Sequence, residues 1–344
     1  MKRGFGSDNH SGVHPRILDA VSRANAFHAP SYGTDELTRK AEEVMKLHFG
    51  PDAETFFVFN GTAANVLSLS ALLKPFQAVI AASQAHIIND ECGAPERILG
   101  SKIIAVQTPD AKLTPELIKP HLIRRGDQHY SQVRAISLTQ PTELGTVYSV
   151  EEIRALGEFA RKENLFLHVD GARLVNAAVS LGVTLKEMTT DCGVDIISVG
   201  GTKNGLLFGE AVVCLRPEIS KDLKYVRKQL MQLPSKTRFI SAQFLEFLGT
   251  DLWKENARHA NAMARRLSDG LQKSKFARVT QKVEANGVFV LIPKALVSRL
   301  RETSFFYVWD EATFECRLMT TWDTDPKDID EFIARLEHLG ESSR

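Results

Sequence analysis

The chain has 344 residues, long for one domain and consistent with two. Its 43 basic side chains balance 42 acidic ones, a net charge of +1 with no block of like charge, which argues against a nucleic-acid or anionic-membrane surface and for a small-molecule partner. No window approaches about 18 uninterrupted apolar residues, and no apolar run follows Met1-Lys2-Arg3, so neither a signal segment nor a membrane span is expected.

Residues 4–15, rich in Gly, Ser, Asp, Asn and His, read as a loop before a helix over 15–26. Ser7 in this arm either lines a site or belongs to a Ser-Asp-Asn turn. Tyr32-Gly33-Thr34-Asp35 precedes a second helix reaching residue 48, capped by Thr34 or Asp35, and Tyr32 either faces a ligand or packs. A short aromatic run at 56–59 reads as a strand, followed by Asn60-Gly61-Thr62 and a helical stretch over 66–73. A strand, a glycine and a helix start make an anion site, because free N–H groups and the helix dipole favour a phosphate and the Thr62 hydroxyl adds a bond. The alternative is an ordinary turn with Thr62 as the cap. The stretch has neither G-x-G-x-x-G nor a Walker pattern, which counts against dinucleotides and nucleoside triphosphates.

A strand at 78–82 leads to His86, where an imidazole just past a strand end can stack on a planar ring and touch a substrate proton. Further strands are expected at 102–106 and 133–139, with helices at 114–125 and 150–163. His129, just before the 133–139 strand, is a second candidate histidine, with a polar surface loop as the alternative. The segment 140–145 follows that strand onto the crevice rim.

Strands at 165–169, 194–199 and 210–215 complete a set of seven and carry the chemistry. Asp170 and Arg173 follow the first, and Lys203, among Gly200-Gly201-Thr202 and Asn204-Gly205, follows the second. In an open α/β sheet such positions meet at a crevice that binds ligands. A desolvated lysine that can form an imine, paired with a carboxylate for a ring nitrogen, suits pyridoxal phosphate. Gly200 and Gly201 would let the backbone approach that cofactor.

After residue 215 the pattern changes. A basic helix over 221–229, one or two long helices over 239–271 with a turn near Gly249, strands at 287–292, 305–308 and 315–320 without intervening long helices, and a helix over 326–338 describe a small α+β unit. The division expected is an arm and large domain over 1–248 and a small domain over 249–344. Arg317 sits in an otherwise apolar strand, which is expensive unless an anion such as a substrate carboxylate meets it or the side chain reaches water. Cys92, Cys192, Cys214 and Cys316 are widely spaced and show no C-x-x-C pair, which fits a reducing, cytoplasmic compartment. No metal-ligand cluster stands out.

Ser7-Asp8-Asn9, Tyr32-Gly33, Gly61-Thr62-Ala63-Ala64-Asn65, His86, His168-Val169-Asp170-Gly171-Ala172-Arg173, Thr202-Lys203-Asn204-Gly205 and Arg317-Leu318-Met319-Thr320 together resemble the low-specificity L-threonine aldolases. The likeness runs almost the whole length. Residues 32–38, 86–96 and 235–239 most resemble the phenylserine aldolase branch. The resemblance implies an aspartate aminotransferase-like fold, type I among pyridoxal-phosphate enzymes, with a seven-stranded mainly parallel sheet and a small C-terminal α+β domain. It implies retro-aldol cleavage of L-β-hydroxy-α-amino acids, threonine, allo-threonine or phenylserine, to glycine and an aldehyde.

The resemblance also implies roles. Lys203 would bear the cofactor, Asp170 hold its ring nitrogen, Gly61, Thr62 and Thr202 its phosphate, and His86 its ring face. Ser7, Arg173 and Arg317 would bind the substrate carboxylate, Tyr32 would contact substrate, and Arg173 would also border the cofactor. Arg238 and Lys228 would reach the phosphate of a neighbouring subunit in a homodimer or homotetramer. His86 or His129 would take the β-hydroxyl proton. Asn9, Gly200–Asn204 and Thr139–Gly145 depart from the commonest family pattern. A β-eliminating lyase on the same fold and a non-catalytic binding protein are the alternative readings.

Overall fold

The computed structural model describes residues 3–342. Its larger sheet contains β1 (Glu54–Val58), β2 (Gln77–Ala82), β3 (Lys102–Val106), β4 (Gln132–Thr139), β5 (Phe166–Gly171), β6 (Ile196–Gly200) and β7 (Glu210–Cys214), in the order β1-β7-β6-β5-β4-β2-β3. β2 pairs parallel with β3 and β4, β4 with β5, and β5 with β6, whereas β7 runs antiparallel to both β6 and β1. Alternate residues of these strands enter two different cores. Phe57, Ile80, Ile136 and Val169 face one, and Phe56, Val79, Ala135 and Val212 face the other. Burial on both faces explains why the strands read as unbroken apolar runs.

The smaller sheet contains β8 (Arg278–Val279), β9 (Gly287–Leu291), β10 (Tyr307–Asp310) and β11 (Glu315–Met319), antiparallel throughout in the order β10-β11-β9-β8. The helix Leu252–Lys273 joins the two units. Leu252, Trp253 and Ala257 pack in the large core, and Ala264, Leu267 and Leu271 in the small one. Phe5 of the arm is buried in the small core, and its backbone bonds Phe305 and Met319, 2.7 Å each. The arm therefore packs with the small unit at Phe5, and with the large one further on, where the His14 N–H donates to Gly205 O at 2.8 Å.

Three elements differ from expectation for local reasons. The helix expected over 114–125 shrinks to Pro115–Ile118 and a 3-10 turn Lys119–Leu122, because Pro120 lacks the N–H that would continue it. The helix Lys294–Arg301 lies between β9 and β10, where no long helix was expected. The helix after β1 starts at Gly61, with the Asn60 carboxamide accepting the Ala63 N–H, so the cap is Asn60 and not Thr62.

Candidate active site

The carboxyl ends of β2, β4, β5 and β6 open on one crevice. Asp170 ends β5 opposite Ser198 of β6, and the 3-10 turn Thr202–Asn204 follows β6 directly and carries Lys203. Asp170 is held by donors from two directions: Ala172 N–H reaches Oδ1 at 3.0 Å and Asn65 Nδ2 reaches Oδ2 at 2.8 Å. Asn65 also donates to Glu91 Oε1 at 2.8 Å, and Glu91 Oε1 in turn lies 2.9 Å from His86 Nδ1. The hydrogen bond to Glu91 raises the His86 pKa against the cost of its burial, so the ring is held toward its protonated form. Lys203 is half-buried, and burial followed by the nearby Arg173 cation lowers its pKa, which enlarges the neutral, nucleophilic fraction of the amine.

Because β7 is antiparallel, its first residue, Glu210, lies at this same end, opposite Gly200. Its Oε2 accepts the Gly201 N–H at 2.7 Å, fixing the turn that presents Lys203. Burial pushes the Glu210 carboxyl up to about 7, against a hydrogen bond from Thr202.

Two cavities meet around Asn9, His86 and Lys203. One, of about 380 Å³, is bordered by Gly61, Thr62, Asp170, Thr202 and Glu210. A Cβ at Gly61 would meet no protein atom within 4 Å, so packing does not require glycine there, while the free helix N-terminus offers N–H groups to an anion. The other, of about 430 Å³, is lined by Ser7, Glu143, Arg173, Arg317, Tyr307 and Trp309 among others. Arg317 makes no ion pair among the described residues, and its buried Nε has no hydrogen-bond partner. Its guanidinium lies 4.6 Å from the Trp309 ring centroid, and burial with the neighbouring Arg173 lowers its pKa to about 10. An unpaired buried cation of this kind suits an incoming carboxylate.

The family model described as beta-eliminating lyase matches residues 4–295. The chain is 40% identical over 322 residues to a low specificity L-threonine aldolase of Pseudomonas aeruginosa, covering 93% of each. It belongs to the low-specificity L-threonine aldolase family. A threonine aldolase of Leishmania major superposes with a TM-score of 0.93 at 29% identity, covering 98% of this chain and 99% of that one. Aspartate aminotransferase of Thermus thermophilus shares the fold, with a TM-score of 0.72 at 19% identity, covering 96% of this chain and 89% of that one. The threonine aldolase family membership makes the chain a lyase, on an aspartate aminotransferase-like fold.

Set in that threonine aldolase family, the crevice gathers Ser7, Gly61, Thr62, His86, Asp170, Arg173, Thr202, Lys203 and Arg317. Other expected residues lie elsewhere. His129 is exposed in the loop before β4, at the opposite end of that strand from the crevice, with its N–H bonded to Asp127 Oδ1 at 3.0 Å; it is not a base within this chain's own site. Tyr32 is 50% exposed and lines neither cavity, its ring 5.2 Å beneath Lys228 Nζ. Half-buried Arg238 donates to Ala24 O at 3.2 Å and Lys228 is exposed, and neither lines the two cavities. Arg173 gives its Nε and Nη2 to Asp8, at 2.5 and 2.8 Å, so that edge does not await a ligand. Gly200 and Gly201 answer to the protein first, since a Cβ would lie 2.1 Å from Ala172 O and 2.8 Å from Gly209 O respectively.

Asp8, Asn65, Glu91, Glu143 and Glu210 went without roles in the sequence reading. One signal was available for Glu210, an acidic residue opening a strand whose remaining members are all buried and apolar. The others are brought in by topology.

Proposed function

We propose that this chain uses pyridoxal phosphate to cleave L-β-hydroxy-α-amino acids into glycine and an aldehyde. The observation that carries the reading is the convergence of Lys203 and Asp170 at neighbouring strand ends, with the unpaired Arg317 across the cavity. Held at Lys203, pyridoxal phosphate supplies an electron sink for the bond broken at the substrate Cα. Asp170, oriented by Asn65 and Ala172, would hold the ring nitrogen. Gly61, Thr62 and Thr202 would hold the phosphate, and His86 would cover the ring. Arg317, with Ser7 and the remaining Nη1 of Arg173, would orient the substrate carboxylate and so decide which bond at Cα stands in line with the sink.

Phe289, Tyr307 and Trp309 line the substrate side, which supports acceptance of an aromatic β-substituent such as that of phenylserine as well as the methyl of threonine. Lys228 lies over the half-exposed Tyr32 ring, and Phe27 and Met231 are large apolar side chains left exposed, which supports a homodimer or homotetramer in which Tyr32, Lys228 and Arg238 meet a neighbour's crevice. Four free cysteines are in keeping with a reducing cytoplasm.

The test is a visible spectrum of purified protein before and after borohydride, with β-hydroxy amino acids screened for aldehyde and glycine. Stoichiometric aldehyde and glycine are expected. Ammonia with a keto acid would replace aldol cleavage by elimination, and absence of any reducible chromophore would remove both.

A further inference from the structure

We infer that Glu143 is the residue that takes the β-hydroxyl proton, an inference resting on the aldol-cleaving reading above. The loop after β4 is tied to the crevice by Gln140 N–H donating to Asp170 O at 2.9 Å, and it carries Glu143 into the larger cavity beside Arg173, Lys203 and Arg317. The two carboxyl oxygens are treated differently. Oε1 accepts the His86 backbone N–H at 2.8 Å and the Thr139 hydroxyl at 2.7 Å, whereas Oε2 is buried without a partner among the described residues. One oxygen is fixed by two donors and the other has no donor of the described chain to satisfy it, so a carboxyl that lines the cavity is held in place with one oxygen whose partner the protein does not supply.

The charged and titratable groups facing this carboxyl are Asp170 from β5, Arg173 from the turn after it, Tyr148 from its own loop, and His86 from the segment after β2. Burial first, then Asp170, pushes Glu143 up to about 7, against the Thr139 bond, so it exchanges its proton close to neutral pH. The histidines are less suited. Glu91 holds His86 toward its protonated form, and His129 lies at the far end of β4.

In the step, Glu143 takes the β-hydroxyl proton and the released O–H pair forms the carbonyl of the departing aldehyde. The Cα–Cβ bond breaks with its pair passing to the Cα side, and a proton delivered to Cα gives glycine. The overall transfer is of one proton from the β-oxygen to Cα, with Glu143 regenerated as carboxylate.

The decisive variant is Glu143→Gln in the holoenzyme, with α-proton exchange of glycine in D2O as a companion measurement because glycine has no β-hydroxyl. Aldehyde release should fall roughly 10²- to 10⁴-fold, the usual range for a lost general base, while glycine exchange persists. The acid limb of kcat/KM near neutrality should disappear, and an infrared pH titration of the cofactor-free protein should lose one carboxyl band titrating near neutrality. Should Glu143→Gln not fold, Glu143→Asp must keep the acid limb with a lower kcat. Unchanged aldehyde release, an unchanged acid limb, or equal loss of cleavage and glycine exchange would overturn the assignment. A wild-type enzyme that exchanges glycine but releases no aldehyde would instead remove the aldol reading itself, before any variant is compared.

Discussion

Asp8 and Arg173 meet at the seam between the arm and the large sheet, with Nε 2.5 Å from Oδ2 and Nη2 2.8 Å from Oδ1. Asn286, just before β9, donates to the same Oδ2 at 3.1 Å, so one carboxylate ties the arm to both units. Burial alone would raise the Asp8 pKa, but the Arg173 cation and its hydrogen bonds more than offset this and hold it below the usual carboxylate range.

Removing Asp8 should therefore expose the cost of a buried cation without its partner. Asp8→Ala should lower stability by about 3–5 kcal/mol, read from urea unfolding. A carboxyl whose folded pKa is depressed contributes stability above its unfolded value and loses it as pH falls through the folded one. Wild type should consequently lose stability on acidification below the ordinary carboxylate range, and Asp8→Asn should lose less over the same interval. Equal acid slopes in the two proteins would refute the pairing.

Replacing Lys203 separates cofactor attachment from folding. Lys203→Ala should leave no measurable turnover and no borohydride-reducible chromophore, because the amine is the nucleophile. Its thermal unfolding without cofactor should be no worse than wild type, since a half-buried cation with a lowered pKa is itself a burden on the fold. Retained turnover with a reducible adduct would end the assignment.

Arg317 should show opposite signs for stability and binding. No anion of the described chain pairs with it, and the attraction of Asp8 and Asp90 does not outweigh its burial, so Arg317→Met, which keeps length and apolar contact with Trp309, should stabilise the cofactor-free protein. The same change should weaken carboxylate-bearing substrates by about 2–5 kcal/mol, at roughly tenfold in affinity per 1.4 kcal/mol. A variant that binds substrate normally would show that Arg317 serves packing alone.

The strands were legible because most of the larger sheet, the edge strand β3 apart, is buried on both faces, so apolar runs survive without alternation. Lys203, Asp170 and His86 were legible because each lies at or just past the carboxyl end of a strand, and parallel strands bring those ends together. His129 precedes its strand, and that polarity alone placed it at the wrong end. Glu143, Asn65 and Asp8 were not legible as partners. Asp8 and Arg173 are 165 positions apart, and Asn65 and Asp170 are 105 apart, so no local spacing connects them. Arg238, Lys228 and Tyr32 matter only if a second chain is present, which one sequence does not display.

His168 gives the sharpest pH prediction. It sits in β5, fully buried, with Nδ1 2.9 Å from the Ser137 hydroxyl and Nε2 3.3 Å from that of Ser198. Burial drives its pKa down to about 4 from an ordinary 6.5, opposed by the attraction of Asp170, so the folded protein favours the neutral ring. For such a group the stabilising contribution is complete above the unfolded value of 6.5 and is lost as pH falls toward the folded value of about 4. The loss should approach about 3 kcal/mol at the acidic end. Glu143 and Glu210, both raised to about 7, act in the opposite sense, contributing stability at low pH that is lost as pH rises through about 7. Wild type alone therefore mixes the two trends, and the difference between wild type and His168→Gln isolates the histidine. Urea midpoints measured every half unit from pH 7 to 4 should converge between the two proteins as pH falls. A constant gap across that range would mean that His168 takes up no proton there on unfolding, against the environment its two hydroxyl partners and complete burial provide.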